Sequence, residues 1–366
     1  MVVVDYGKMA ISEFQGSIFV LALYDVCDEI SLSELRPLIG GTRPARAFKH
    51  MTPEYVRFER PPVIESLEPV TLDKGERFDV TMQYYDYGVV SVLLRRLYSG
   101  TWEDLQQLAG RWTSSTFFDE LTLRLVRQRL AHVRAALRKP YENWLSEDYY
   151  IFHLCAPEGG QASDLIRENG REISQIVSGE AVPLSDAERR EALQASMSYY
   201  PNDLVAVGWN AAFVYDTEAG AESTIRLLEY ANSQLLQFRH YDELLTRELT
   251  DAYRFLQSRG GQLAGWRMRP AAARLRTVSL EVIQLTEHTT NALKFVGDMF
   301  SARLYKLCAT KIGVAEYLAL VHEKLRTADE LYDFMIEQFH QSRGFLLEAL
   351  VVIILVIELV FLFRGK

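Results

Sequence analysis

The distribution of apolar residues divides the chain into three regions. Up to about residue 216, short apolar runs typical of strands alternate with segments of helical period. From 217 to 343, apolar residues recur every three or four positions, as they do in coiled coils. From 344 onward, most positions are apolar. We therefore predict an α+β domain over residues 1–216, a helical coiled-coil stalk over 217–343 and a separate terminal segment over 344–366.

The sequence pattern of residues 1–216 predicts that the same order of strands and helices occurs twice. An apolar run over 17–24 is typical of a buried strand, and Gly88 separates two strands that predict a hairpin. Ser31 and Ser185 begin helices at capping-box spacing, and Thr101 caps another helix. The second half supplies a strand over 148–154, helices over 163–177 and 185–195, and paired strands over 204–209 and 211–215. We predict a duplicated ferredoxin-like β-α-β-β-α unit, with halves at about 1–140 and 141–216.

The heptad pattern of residues 217–343 predicts long antiparallel helices joined by short loops. Its heptad seams lie within residues 228–256, 275–299 and 318–339. The last seam consists of Leu318, Val321, Leu325, Ala328, Tyr332, Met335 and Phe339. One seam position of the first helix, Asp242, is polar. A buried polar residue there would fix the register or the oligomeric state, and the alternative is an aspartate that tips out to water.

Residues 345–363 read FLLEALVVIILVIELVFLF. About 20 mostly apolar residues cross a hydrocarbon core of about 30 Å, so we predict a C-terminal transmembrane helix that serves as a tail anchor in a lipid bilayer. Glu348 and Glu358 lie inside this run, and a carboxylate at membrane depth usually faces protein. We expect Arg343 to pair with Glu348 and both glutamates to lie between copies of the chain. The terminal segment therefore predicts a homo-oligomer.

The segment between the first two stalk helices contains Trp266, Arg267 and Arg269. Antiparallel packing would place this segment beside the membrane end of the third helix. An aromatic residue next to arginines is favourable at an anionic membrane surface. We expect this loop to touch the membrane, and the alternative is an ordinary solvated turn.

The net charge, the cysteines and the N-terminal sequence limit which partners and which cellular location we expect. The net charge of −9 argues against a protein that coats nucleic acid, and we expect no DNA partner. Three cysteines without metal-ligand spacing are typical of a reducing compartment. The N-terminus shows neither a secretory signal nor a transit peptide. We therefore expect a bacterial inner-membrane protein with most of its chain in the cytoplasm, and the mitochondrial inner membrane is the weaker alternative.

Motifs for catalysis are absent from the sequence. It contains no phosphate-binding glycine loop, no nucleophile elbow and no histidine pair at zinc spacing. We therefore expect no cofactor, no metal and no catalytic residue that can be named. Tyr85, Asp86, Tyr87 and Gly88 either line a site for a ligand or partner, or are strand aromatics beside a turn.

Four arginines fall along one edge of a predicted helix in residues 118–140: Arg124, Arg127, Arg134 and Arg138. Such an edge either grips the phosphates of RNA or of lipid head groups, or is a solvated charged flank. No aromatic residue lies between these arginines, which weakens the case for single-stranded RNA.

Two segments together resemble a known family. One is the strand that ends in the turn YDYGVV at 85–90, and the other is the helix over 330–360 with Leu331-Tyr332, Ser342-Arg343 and Leu347-Glu348. They are similar to the "required for meiotic nuclear division" family, also called domain of unknown function 155. The resemblance implies a membrane-anchored, self-associating protein, related to a mitochondrial branch that supports translation by anchoring ribosomes.

Our leading functional hypothesis is a membrane-anchored homo-oligomeric scaffold or tether that binds a cytoplasmic partner. By resemblance, that partner would be the ribosome or other translation machinery. The alternative is a membrane-associated hydrolase of nucleotides or RNA with a pocket near Asp86. A scaffold predicts a filled core around Asp86, whereas an enzyme predicts a concave pocket with converging polar groups.

Overall fold

The chain folds into two compact units. The computed structural model describes residues 14–40, 56–58, 60–72, 75–157, 160–257, 264–291, 293–295 and 299–364. The first unit comprises residues 1–237 and 289–315, and the second comprises residues 238–288 and 316–366. The first unit is therefore built from two stretches that are far apart in sequence.

The helices and strands follow one another in this order: β1 (Phe14–Ile30), α1 (Leu32–Leu38), β2 (Val56–Phe58), β3 (Val63–Thr71), β4 (Arg77–Tyr84), β5 (Val89–Gly100), α2 (Trp102–Thr113), α3 (Phe117–His132), a short 3₁₀ turn (Arg134–Ala136), β6 (Leu137–Cys155), α4 (Ala162–Ser178), α5 (Asp186–Gln194), β7 (Ser196–Met197), β8 (Leu204–Val207), β9 (Ala211–Asp216), α6 (Glu218–Gln257), α7 (Ala264–Asn291), β10 (Leu293–Phe295), α8 (Met299–Ile312) and α9 (Val314–Arg364).

An eight-stranded sheet dominates the first unit. Its strand order is β3-β4-β5-β1-β6-β9-β8-β7, while β2 and β10 form a separate two-stranded ribbon. All neighbours in the large sheet are antiparallel except β6 and β9, which are parallel. Strand β1 is central and buried along most of its length. The buried strand predicted over 17–24 and the hairpin predicted around Gly88 are both confirmed.

The predicted duplicated ferredoxin-like unit is wrong. Both predicted halves belong to one mixed sheet, and they are connected differently. In the first half, β1 pairs antiparallel with β5. In the second half, β6 pairs parallel with β9, which requires a crossover connection that carries α4 and α5. The order of elements repeats in the sequence, but the strand pairing does not.

One face of the sheet packs on an apolar layer of helices. Alternate residues of β1, β4 and β5 contribute Val20, Val80 and Val92 to a core that also contains residues of α2, α3 and α4. Phe78 lies 5.9 Å from Trp112 between ring centroids, and Trp112 lies 5.0 Å from Phe118. The start of α2 is fixed by a capping box between Thr101 and Asp104, as predicted for Thr101.

The second unit is helical, and five of the seven predicted seam residues of its last helix are buried, while Leu318 and Tyr332 are partly exposed. Val321, Ala328 and Met335 of α9 are at most 1% exposed. Ala328 and Met335 share a cluster with residues of α6 and α7, among them Leu249 and Leu275. The second stalk helix was predicted to reach residue 299, but α7 ends at Asn291, because the chain then forms β10 and pairs with β2.

The predicted transmembrane anchor is also wrong. Within the ranges that the structure describes, no helix combines the length and the apolar character needed to cross a membrane. The terminal segment is instead the last part of α9, a helix of 51 residues. The carboxylates of Glu348 and Glu358 interrupt its apolar run. The predicted single-pass location in a bacterial inner membrane is contradicted with it.

Gly88 offers a test of the hairpin. It has φ +89°, and a Cβ atom there would lie 1.7 Å from the carbonyl oxygen of Cys27. We expect Gly88→Ala to lower the free energy of unfolding by at least about 3 kcal/mol, because both the left-handed backbone and the clash oppose it. The matched control is Gly75→Ala, with φ +78° and nothing within 4 Å, which should cost only about 1 kcal/mol. Urea unfolding measures both values, and equal losses would contradict the clash.

Candidate functional site: the apolar end of helix α9

The segment around Asp86 is a buried turn. Tyr85 and Tyr87 are 3% and 2% exposed, and their rings stack at 5.2 Å between centroids. Asp86 is buried with them and lies 3.5 Å from the guanidinium group of Arg60. Gly88 closes the turn by donating its N–H to the carbonyl oxygen of Tyr85. The motif therefore fills part of the core beside α6.

A buried carboxylate of α6 joins the two strands of this hairpin. Gln83 of β4 and Ser91 of β5 are direct cross-strand partners, so their side chains project from the same face of the sheet. The Gln83 amide donates to one carboxylate oxygen of Glu229, and the Ser91 hydroxyl donates to the other. Burial raises the pKa of Glu229 to about 7, although the Ser91 hydrogen bond and the charge of Arg226 act in the opposite direction.

Two further polar contacts extend this line along α6. Ser233 and Gln237 follow Glu229 at intervals of four residues, which places all three on one face of the helix. The Ser233 hydroxyl lies 2.6 Å from the Tyr87 hydroxyl. The Gln237 amide donates to Asp25 of β1 at 2.8 Å. These residues were not predicted from the sequence, although polar side chains in otherwise apolar strands were a visible signal.

The predicted basic face is divided among three elements. Arg124 and Arg127 lie on α3, Arg134 lies in the 3₁₀ turn, and Arg138 lies in β6. The helix ends at His132 because β6 begins shortly afterwards and pairs with β1. Arg127 lies over the ring of Trp144 at 5.9 Å, and Arg138 forms an ion pair with Glu34. The structure therefore does not bring the four arginines onto one helix edge.

Asp242 lies inside the second unit rather than in water. Its side chain is 17% exposed and forms an ion pair with Lys324 of α9 at 2.5 Å. The same ammonium group donates to Thr246 at 2.5 Å. This polar seam residue of α6 therefore pairs with another helix of its own chain.

The remaining predicted residues lie near the ends of α7 and α9. Trp266, Arg267 and Arg269 belong to the first turns of α7, and their side chains are outside the described residues. The side chain of Arg343 is also outside them, so the pair expected with Glu348 is not described. Glu348 and Glu358 are exposed on α9.

An exposed apolar stretch covers the end of α9. It consists of Leu350, Val351, Val352, Ile353, Ile354, Leu355, Val356, Ile357, Leu359, Val360, Phe361, Leu362 and Phe363, which are 47–75% exposed. Monomeric proteins rarely expose contiguous apolar patches larger than a few hundred Å². This stretch, called the apolar end below, is the candidate interaction site of the second unit.

The heptad seam of α9 continues in phase into the apolar end. Extending the alternating steps of three and four residues beyond Phe339 reaches Ile353, Val356, Val360 and Phe363. At about 100° per residue, Glu348 and Glu358 each project about 140° away from Ile353. Glu358 therefore lies on the side opposite the seam, whereas Glu348, about 80° from Val356, lies on the flank of the seam.

The fold and these sites define an α+β protein with a mixed eight-stranded sheet and a helical second unit. Residues 15–222 match the family model described as "Uncharacterized protein MJ0711, N-terminal domain". Because the match covers more than half of the chain, the protein belongs to this family. The "Uncharacterized protein MJ0711" of Methanocaldococcus jannaschii is 20% identical over 224 residues, which are 61% of this chain and 68% of the relative. No solved structure matches the chain.

These matches overturn the resemblance to the "required for meiotic nuclear division" family. The matched region contains the eight-stranded sheet, whereas the resemblance depended mostly on the helix over 330–360. A short aromatic turn and a heptad helix with an apolar end both occur in many unrelated proteins, because they meet general requirements of helix and sheet packing. The implied link to ribosomes depended on this resemblance and is withdrawn with it.

Glu229 predicts a specific dependence of stability on pH. Its pKa is about 7 in the folded protein against an ordinary value of 4.5, so the folded chain binds a proton that the unfolded chain releases between these values. Stability should therefore fall as pH rises from about 4.5 to about 7 and the loss should level off above that, at about 3 kcal/mol.

Glu229→Gln removes this titration. The free energy of unfolding of the variant minus that of the wild type should therefore increase between pH 5 and pH 8. Urea unfolding followed by circular dichroism measures both values. Glu120→Gln, at an exposed position of the same unit, is the control and should follow the wild-type profile. Parallel profiles for the wild type and Glu229→Gln would contradict the assignment.

Proposed function

We propose that this protein is a homo-oligomeric scaffold whose copies associate through the apolar end of α9. The observation that carries the proposal is the exposure of thirteen large apolar side chains on that stretch. At roughly 100 Å² each, they present on the order of 1,300 Å² of apolar surface, well above the few hundred Å² that monomeric proteins usually expose in one patch. Leaving this surface in water is unfavourable by about 25 cal/mol per Å².

The phase of the seam supports a second copy of the chain as the occupant. Upstream, the same seam is buried at Val321, Ala328 and Met335. Downstream, Ile353, Val356 and Val360 continue it with exposed side chains. A helix of another copy presents the same knobs and holes, so identical helices can pack in register. Glu358 would then lie on the outer side of the assembly, and not between copies as expected from the sequence.

The buried turn around Asp86 favours a scaffold over the alternative hydrolase. Tyr85 and Tyr87 fill the space beside α6, and Asp86 lies next to Arg60. A scaffold requires a stable folded unit joined to an association element. The hairpin, the sheet and α6 supply the first, and the apolar end of α9 supplies the second.

Two double variants of equal charge test the proposal. Ile353→Lys with Val360→Lys places two charges on the seam, and we expect the association constant to fall by at least about a hundredfold because buried charges are costly. Leu355→Lys with Leu362→Lys uses the same spacing on the opposite side of the helix, about 140–180° away. These off-seam changes should leave association close to that of the wild type.

Sedimentation velocity of the full chain over a range of concentrations gives the oligomeric state. A wild-type chain that stays monomeric throughout would contradict the proposal. Equal dissociation by both double variants would contradict the seam as the contact. Circular dichroism of each variant checks that α9 remains helical.

A further inference from the structure

A cleft of about 730 Å³ lies in the first unit, where strand β9 passes into helix α6. Three separate segments form its walls: the turn before β8, the first turns of α6 and the start of α8. We call it the β9 cleft. Of the lining residues that the structure describes, two are carboxylates, Asp203 and Asp216, and none is Lys, Arg or His.

Aromatic rings form one wall of the β9 cleft. The rings of Tyr199 and Tyr200 meet at 86° with centroids 4.6 Å apart, and Phe300 lies 4.9 Å from Tyr199. Both tyrosines are about 60% exposed, although each is large. Their backbone is held firmly, because the two carboxylate oxygens of Asp203 accept the N–H groups of Tyr199 and Tyr200 at 2.7 and 2.9 Å. Exposed aromatic faces held in this way attract cations.

Asp216 contributes the second carboxylate to the lining of the cleft. One of its oxygens accepts the N–H of Thr217 at 2.6 Å. Gly220 leaves space for the other, because a Cβ atom at that position would lie 2.2 Å from it. Burial raises the pKa of Asp216 and the charge of Asp203 raises it further, while the Thr217 N–H acts against both. A positive ligand would lower the cost of keeping this carboxylate charged.

We propose that the β9 cleft binds an organic ammonium ion, with the carbon atoms attached to its charged nitrogen against the rings of Tyr199 and Tyr200 and with Asp216 as its counter-charge. Phosphate and carboxylate ligands would meet two carboxylates and no cationic side chain among the described lining residues. Across the described part of the chain, no group of three or more His, Cys, Asp or Glu side chains is suited to a metal ion. The proposal goes beyond self-association, because this cleft lies in the first unit and the seam lies in the second.

Titration calorimetry of the full chain tests the charge directly. The probes are choline and 3,3-dimethylbutan-1-ol, which has nearly the same shape without the charge. We expect choline to bind at least about ten times more tightly than the alcohol. Equal binding of the two, or no binding of choline, would overturn the proposal.

Variants then locate the site. Asp216→Asn keeps an acceptor for the Thr217 N–H and removes the charge, so it should weaken choline binding about tenfold. Tyr199→Ala removes one aromatic face and should weaken it about fivefold. The controls are Asp186→Asn, at the start of helix α5, and Tyr253→Ala, an exposed tyrosine of α6. Losses no larger than those of the controls would overturn the assignment to this cleft.

Two larger probes identify the source of the ammonium group. Spermidine stands for free polyamines, and a lysine-containing peptide stands for the side chain of a protein partner. Tighter binding of either one supports the proposal and names its source. The seam variants Ile353→Lys and Val360→Lys should leave all of these affinities unchanged, so failure of self-association and failure of this site are distinguishable.

Discussion

The carboxylate of Glu229 fixes the position of α6 on the central sheet. A buried carboxylate is costly unless its oxygens accept hydrogen bonds, and here each oxygen has a donor from one of two paired strands. Sliding α6 by one turn would leave the carboxylate without Gln83 and Ser91. An apolar contact tolerates such a shift far better than this pair of bonds. The same register places the first turns of α6 beside the β9 cleft.

Local elements were predictable from the sequence, but their pairing was not. The apolar run of β1, the hairpin at Gly88 and the cap at Thr101 depend on neighbouring residues, and all three are confirmed. The parallel pairing of β6 with β9 depends on a crossover of more than fifty residues. Two stretches with the same order of strands and helices can pair their strands with different neighbours and in different directions. The predicted duplication failed for that reason.

The same distinction applies to the sites: those formed by neighbouring residues were predictable from the sequence, and those formed by distant segments were not. The heptad phase of α9 is carried by consecutive residues, so Ile353 and Val360 can be placed on one stripe from their spacing in the sequence. Gln83 and Glu229 are separated by 146 residues, and no local pattern connects them. The β9 cleft likewise assembles Asp203, Asp216 and Phe300 from three segments. The predicted arginine edge failed because strand pairing of β6 outcompeted continuation of α3.

If copies of the chain associate through the apolar end of α9, as we propose, its two glutamates limit which face of the helix can form the contact. A helix surrounded by a uniform apolar solvent has no reason to keep a heptad phase. The heptad stripe of this helix runs from the buried Val321 to the exposed Val360 with a polar position at Ser342. Glu358 lies opposite that stripe, while Glu348 lies on its flank. On that proposal the seam residues would face the partner helix and Glu358 would face water, as charged residues do in a coiled coil. The packing of Val321, Ala328 and Met335 within the chain would then recur between copies.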